Sequence, residues 1–255
     1  MILCQALAII LLGSCFCYGE SDKEKYLEEN PLENPDLFEG DIIGLDISDD
    51  RNAVARDERL WPRGVIPYVF DPGLSSTVRL QMVLKAMWKY GNQTCIRFVP
   101  RTREANYVRI YPGQGCHSQI GMTKSKSIQT LSLGKGCGYL GTVLHELGHA
   151  VGFYHEHSRS DRDKWIKIFW ENIKEGQESQ FKRLEPANNR LLTPFDFNSI
   201  MLYGSYTFSK DKDRLKTMVG KDGRIIEPTR EKTNLSKSDI IRIRKLYNCK
   251  PSVRS

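Results

Sequence analysis

The spacing His145-x-x-x-His149-x-x-Gly152-x-x-His155 leaves this chain little freedom around residues 140–155. Histidines four apart share one face of an α-helix, because a turn takes 3.6 residues. Their imidazoles can therefore converge on one metal ion. Glu146 projects beside that point, where a carboxylate can accept a proton from water. Gly152 tolerates the positive φ that ends a helix, so the chain can double back and deliver His155 as a third nitrogen. Three protein ligands leave a fourth position open, the pattern of a catalytic rather than a structural zinc site. The His-Glu-x-x-His core alone is common in helices; the glycine and third histidine make the run specific.

Compartment is read from the amino terminus and the cysteines. Met1–Leu12 is apolar apart from Gln5, and small residues follow to Gly19. That run is too short to span a bilayer and has the length of a signal-peptide core, so residues 1–19 are expected to be cleaved off after Gly19. No later stretch has the roughly 18 apolar residues of a membrane span. Cys4, Cys15 and Cys17 leave with the signal. Cys95, Cys116, Cys137 and Cys249 remain, an even number expected to form two disulfides, with three pairings open. Asn92 and Asn234 head sequons and are candidate glycosylation sites. The expected product is secreted, extracellular, free of the membrane and monomeric.

Charge divides the chain. Residues 20–51 carry 12 acidic and 3 basic side chains, whereas residues 52–255 carry 19 acidic and 35 basic. An acidic leader can dock on a basic body. The lysines and arginines of the body are scattered, with no dense run interleaved with aromatics, which argues against a nucleic-acid partner.

Residues 20–51 read as a pro-segment. Glu20–Asn34 is polar and expected to be largely disordered or weakly helical. Phe38-Glu39-Gly40-Asp41-Ile42 interrupts it, and Arg51–Asn52 is a candidate processing bond in an exposed stretch. The body, residues 52–255, opens with a strand over Val65–Phe70. A helix capped by Ser75 or Ser76 follows, running to Tyr90 with Gly91 as its stop. Strands are expected over Ile96–Val99, Tyr107–Tyr111 and Ile128–Leu133, and the motif helix over Gly141–Phe153. Lys164–Trp170 is ambiguous between strand and short helix, and Glu171–Leu192 reads as loop with helical turns. Ser236-x-x-Asp239 is a capping box for a last helix through Tyr247. The fold class is α+β, with a sheet and helices in the first half and a less regular second half.

His145–Glu156, read H-E-L-G-H-A-V-G-F-Y-H-E, together with Ser199-Ile-Met201-Leu-Tyr203 and Arg159-Ser-Asp161-Arg162-Asp163, resembles the astacin family of secreted zinc endopeptidases. The resemblance runs from about Asn52 to Cys249. It implies a metzincin-type protease domain with the active-site cleft between an N-terminal sheet layer and the C-terminal part. One Zn2+ would be bound by His145, His149 and His155, with Glu146 as catalytic base. Met201 would form a turn beneath the metal. Tyr203 would ligate zinc at rest and swing to stabilise the transition state. Glu156 would meet the new amino terminus near Asn52. Phe38-x-Gly40-Asp41 resembles the family's pro-segment switch, in which Asp41 occupies the open zinc position in the precursor. The implied disulfides are Cys95–Cys249 and Cys116–Cys137. Leu202 departs from the family, which usually has histidine there, and a change in local hydrogen bonding is expected.

The residues suit these roles chemically. A carboxylate can take a proton from water and pass it to a leaving amine, and a phenol can donate to an oxyanion. The expected function is a zinc metalloendopeptidase cutting protein or peptide substrates, made latent and released by a protease that cuts after Arg51. Two alternatives share part of the warrant: a secreted binding protein that retains zinc without turnover, and a zinc hydrolase of non-peptide esters or amides. Glu146 discriminates against the first, since a structural site has no need of it. His117 and His157 receive no role.

Overall fold

The computed structural model describes residues 20–44, 57–74, 78–123 and 128–250. The expected signal segment, the processing bond Arg51–Asn52 and the capping serines Ser75 and Ser76 lie outside these residues. Five strands form one sheet: β1 (Val65–Phe70), β2 (Arg97–Pro100), β3 (Tyr107–Tyr111), β4 (Cys116–Ser118) and β5 (Ile128–Leu133), in the order β2-β1-β3-β5-β4. The first four in that order run parallel; β4 pairs antiparallel to β5 and forms the sheet edge.

The polar leader is more ordered than its composition suggests. Glu20–Glu29 is a helix, α1. Leu27 is buried, Glu28 pairs with Lys135 at 2.8 Å, and the Lys174 ammonium lies 4.0 Å over the Tyr26 ring. A segment too polar to fold alone is thus ordered on the basic body. Further along, Ile42 bridges in parallel to Ser118 of the edge strand β4. The Ser118 N–H donates to the Asp41 carbonyl, and the Ile43 N–H to the Ser118 carbonyl. Ile42 also packs with Ile120, Tyr154, Leu184 and Phe38 in an apolar cluster of its own.

Two helices cover the sheet, α2 (Val78–Gln93) and α3 (Leu140–Val151). α2 is the crossover that joins the parallel strands β1 and β2, and burial against both helices explains the apolar strands. Val83, Ala86, Met87 and Tyr90 of α2 meet Val143, Leu144, Leu147 and Val151 of α3 in the main core, together with Ile66, Ile110 and Leu131 of the sheet. α2 passes through Gly91, the expected stop, and ends two residues later. A single helical glycine costs only about 1 kcal/mol. The helix ends where the Thr94 backbone N–H and hydroxyl both donate to the Tyr90 carbonyl, just before Cys95. The strand expected over Ile96–Val99 forms one residue later, because Ile96 turns inward as a fully buried core residue.

The second half is built on a separate apolar cluster, with Ile173, Phe181, Phe195, Leu202, Tyr203 and Phe208 among its members. Of the ambiguous Lys164–Trp170, Ile166–Ile168 forms strand β6, paired with β7 (Met218–Gly220). Short 3-10 turns occupy much of Glu171–Leu192. The last helix, α4 (Lys237–Leu246), carries the expected capping box between Ser236 and Asp239. Disulfides join Cys95 to Cys249 and Cys116 to Cys137. The first closes a loop of 154 residues, worth about 5 kcal/mol in the chain-entropy account.

Candidate metal centre

α3 is apolar almost all round and buried along nearly its whole length, so its two histidines are held inside the fold. Its last carbonyls, which no helical N–H can reach, are satisfied from outside. The Trp61 indole donates to Ala150 O and the Tyr247 hydroxyl to Val151 O. Gly152, at φ 125°, closes the helix with its N–H on the Gly148 and His149 carbonyls. The chain then reverses and returns His155 to the face carrying His145 and His149. The ring centroids of the three imidazoles lie 4.7 to 4.9 Å apart.

One ligand atom each from Asp41, His145, His149 and His155 falls within 4.8 Å of all the others. Asp41 Oδ2 lies 3.0 Å from His145 Nε2 and 3.3 Å from His155 Nε2, and Oδ1 lies 3.3 Å from His149 Nε2. Each ring has its other nitrogen engaged. His145 Nδ1 donates to Ile200 O and His149 Nδ1 to Phe153 O, both at 2.7 Å, and His155 Nδ1 bonds Glu39 Oε2 at 2.6 Å. Such partners fix the tautomer and turn each Nε2 lone pair inward.

The donor set fits a divalent cation. His145 Nε2 and His155 Nε2 approach to 2.9 Å. At that separation the two nitrogens can share either a proton or a metal cation. Both Glu146 oxygens are buried without a hydrogen-bond partner among the described residues, and His149 Nε2 and Asp41 Oδ1 have only their 3.3 Å approach to each other, a situation that asks for a ligand. Burial pushes His145 down to about 4. His155 is equally buried, yet Asp41 and Glu39 outweigh that and pull it up to about 9. Burial would raise Asp41, but His155, His149 and the ring hydrogen bonds hold it well below the usual carboxylate range. Burial and the Asp41 charge push Glu146 well up. Nitrogen and oxygen donors in this number and spacing suit zinc.

The turn carrying Met201 lies against α3. Met201 Sδ packs where a Cβ on Gly148 would collide with it, so residue 148 has room only for glycine. α4 pins this turn: Asp239 accepts from the Ser199 hydroxyl at 2.7 Å and the Ile200 N–H at 2.9 Å. Tyr203 is buried, and its hydroxyl lies 2.6 Å from Asp41 Oδ2 and 3.0 Å from the Leu32 and Glu39 carbonyls. Burial and the Asp41 charge raise its pKa well above the ordinary phenol value. Glu156 is held by Arg242 at 2.6 and 2.8 Å and by Arg159 at 3.2 Å, and it accepts the Asp196 N–H. Its expected partner, the terminus at Asn52, lies outside the described residues. Leu202 fills the apolar cluster of the second half, and its carbonyl accepts from Lys232 Nζ at 2.6 Å. Asn234 is exposed and Asn92 is at the surface on α2.

Glu39 is the residue that sequence reasoning missed. It stands at the unassigned position of Phe38-x-Gly40-Asp41, and an acid beside a ligand aspartate was the available signal. His157 also does more than fill space: its buried ring stacks on His155 at 5.1 Å and on Tyr203 at 5.3 Å.

Comparison with known proteins agrees with this geometry. The model of the peptidase family described as Astacin matches residues 53–248. Astacin-like metalloprotease toxin 1 of Loxosceles intermedia is 47% identical over 218 residues, covering 84% of this chain and 82% of that protein. Zinc metalloproteinase nas-6 of Caenorhabditis elegans is 39% identical over 242 residues, 91% of this chain and 69% of that one. Among solved structures, high choriolytic enzyme 1, a hatching enzyme zinc-protease from Oryzias latipes, superposes with a TM-score of 0.68 at 36% identity, covering 76% of this chain and 96% of the other. With the match running through the sheet, the histidine helix and the Met201 turn, the chain belongs to the astacin family of peptidases and is a zinc metalloendopeptidase of that family.

Proposed function

We propose that this chain is a secreted endopeptidase held latent by its own pro-segment, with Asp41 occupying the metal centre until the chain is cut after Arg51 by another protease. The observation that carries this reading is the reach of one Asp41 carboxylate to all three imidazoles, at 3.0 to 3.3 Å. His145, His149 and His155 would hold one zinc ion per chain. Bound there, zinc supplies Lewis-acid polarisation of a carbonyl and lowers the pKa of water to about 7.

The chain's own residues do the rest. Removal of the pro-segment uncovers the centre and the edge strand β4, beside which an extended peptide can lie. Glu146, one residue from His145, takes the proton of the attacking water and delivers it to the leaving amine. The Tyr203 hydroxyl, freed from Asp41, donates to the oxyanion that develops on the scissile carbonyl. Met201 floors the site, and Glu156, adjacent to His155, is the anchor for the amino terminus at Asn52. Residues 1–19 act as the export signal, residues 20–51 as the pro-segment and residues 52–255 as the protease domain. The two disulfides suit an oxidising compartment, and no helix of the described residues is long and apolar enough to cross a membrane. The mature enzyme acts as a monomer, with Asn92 and Asn234 available for glycans.

The test is Glu146→Gln in the chain trimmed after Arg51. Turnover of protein substrate should fall by about 10²–10⁴-fold while zinc content stays at one per chain. Unchanged turnover would remove Glu146 from its role. Zinc retention with no turnover by the trimmed wild-type chain would favour a binding protein instead.

A further inference from the structure

We propose that Trp88 and Leu84, on the outer face of α2, seat an N-linked glycan carried by Asn92 of the same helix, with the first N-acetylglucosamine packed on the Trp88 indole. The inference goes beyond the peptidase reading and rests only on its export part. α2 turns Val83, Ala86, Met87 and Tyr90 into the main core. Leu84 and Trp88 face the other way and are 47% and 64% exposed. Packing within the fold gives no reason for two large apolar side chains, one helical turn apart, on a solvent-facing stripe. Asn92 stands one further turn along, exposed on the same stripe, and heads the sequon Asn92-Gln93-Thr94. Side chains on a helix lean toward its amino terminus, so residue 92 covers the turn before its own. That turn carries Trp88.

The two surfaces match chemically. A pyranose ring presents C–H groups on its faces and hydroxyls around its rim, and an indole presents a flat apolar face with a polar N–H at one edge. Packed face to face, they remove apolar area from water and leave the hydroxyls solvated. The root of the sugar is also held firm. The Thr94 N–H and hydroxyl donate to the Tyr90 carbonyl at 3.0 and 2.7 Å, and the next residue, Cys95, is bonded to Cys249. A sugar fixed at its base gives up less freedom on folding back over the helix. In the export compartment the Asn92 amide nitrogen takes C1 of N-acetylglucosamine from a lipid-linked pyrophosphate donor. A C–N bond forms, the C–O bond to the pyrophosphate breaks, and one amide proton is released. Asn234 is placed differently: its Oδ1 accepts from Lys89 Nζ at 2.5 Å, and Lys89 lies about 100° around α2 from Trp88.

The experiment uses the full chain secreted by eukaryotic cells, footprinted with hydroxyl radicals before and after an amidase removes N-linked sugars from the folded protein. Trypsin cuts after Lys85 and Lys89, which separates Trp88 from Asn92 for mass spectrometry. Removal should raise Trp88 oxidation by about twofold, since a sugar covers one of the two ring faces, and leave Trp165 and Trp170 unchanged. Asn92→Gln should reproduce the rise, and Asn234→Gln should not. Trp88→Ala should speed release of the Asn92 sugar by the amidase, and Trp88→Phe should do so less. A secreted chain bare at Asn92, or Trp88 oxidation that sugar removal leaves unchanged, overturns the proposal and leaves the peptidase reading intact. Protection of Trp88 that survives sugar removal and grows with protein concentration assigns the stripe to a second copy of the chain, which also overturns it. A chain retained in the cell without sugar at either sequon overturns the export reading, and the proposal with it.

Discussion

The Tyr203 hydroxyl meets Asp41 Oδ2 at 2.6 Å. The same oxygen lies 3.0 Å from His145 Nε2. One carboxylate of the leader thereby engages both the metal-binding face and the phenol that would serve the transition state. On the proposed reading, this carboxylate is the leader's direct hold on the three imidazoles. Asp41→Ala should give an untrimmed precursor roughly 10–100-fold more active than the wild-type precursor, the range expected on losing a tethered ligand of millimolar effective concentration. Assay of both precursors in the presence of an inhibitor of the activating protease checks this; continued silence of the variant would place the block elsewhere.

Tyr203→Phe separates the phenol's roles. In the trimmed enzyme, kcat should drop by about 10²–10³-fold, the loss seen when one oxyanion donor is removed, with KM and zinc content little altered. The ring itself stacks on His145, at 5.5 Å, and on His157, at 5.3 Å. Phenylalanine preserves that packing, so a fall in zinc content alongside kcat would mean that the hydroxyl serves the metal rather than the oxyanion.

On the proposed reading, Glu39 would act on a bound metal through His155, and only while residues 20–51 remain attached. Loss of such an outer partner typically weakens metal affinity by about 10–100-fold. Glu39→Gln should therefore speed zinc loss to a chelator from the precursor by that order and leave the trimmed enzyme unchanged, because residue 39 is then gone. Equal rates in both precursors would show that the 2.6 Å contact is incidental to metal retention.

Lys232, which supplies no ligand atom to the metal centre, gives the fold a pH dependence of its own. Burial lowers its pKa from 10.5 to about 8, while its ammonium donates to the Ser199 and Leu202 carbonyls. Between those two values the unfolded chain binds more protons at this residue than the folded one, so its contribution to stability rises with pH across that window and is flat below and above it. Urea titrations of the wild type at about pH 7.5 and 9.5, set against Lys232→Met, should show the wild type gaining about 2 kcal/mol relative to the variant. A parallel pH response in both proteins would assign the effect to other groups.

The centre is legible in the sequence because it is mostly local. His145, Glu146 and His149 sit on one helix, and Gly152 and His155 complete the arrangement within eleven residues. The capping box at Ser236 and Asp239 is legible for the same reason. The partners of these residues are not, since they come from far along the chain: Glu39 meets His155 across 116 positions and Arg242 meets Glu156 across 86. The order of α1 is hidden likewise, because Leu27, Tyr26 and Glu28 are fixed by the body and not by their own propensity. Gly91 does not stop α2, because packing of Met87 and Tyr90 against α3 outweighs one unfavourable residue. The fold class follows from strand and helix periodicity. The strand order β2-β1-β3-β5-β4 does not, since neighbours in a parallel sheet are set by crossovers.

α4 grips the site from the distal end of the chain. Asp239 fastens the backbone whose Ile200 carbonyl orients His145, and Arg242 fastens the glutamate that follows His155. During synthesis this helix leaves the ribosome after every ligand has already emerged. Completion of the centre therefore waits on a helix far downstream of its last histidine, and fragments cut before Lys237 carry the three histidines without that clamp.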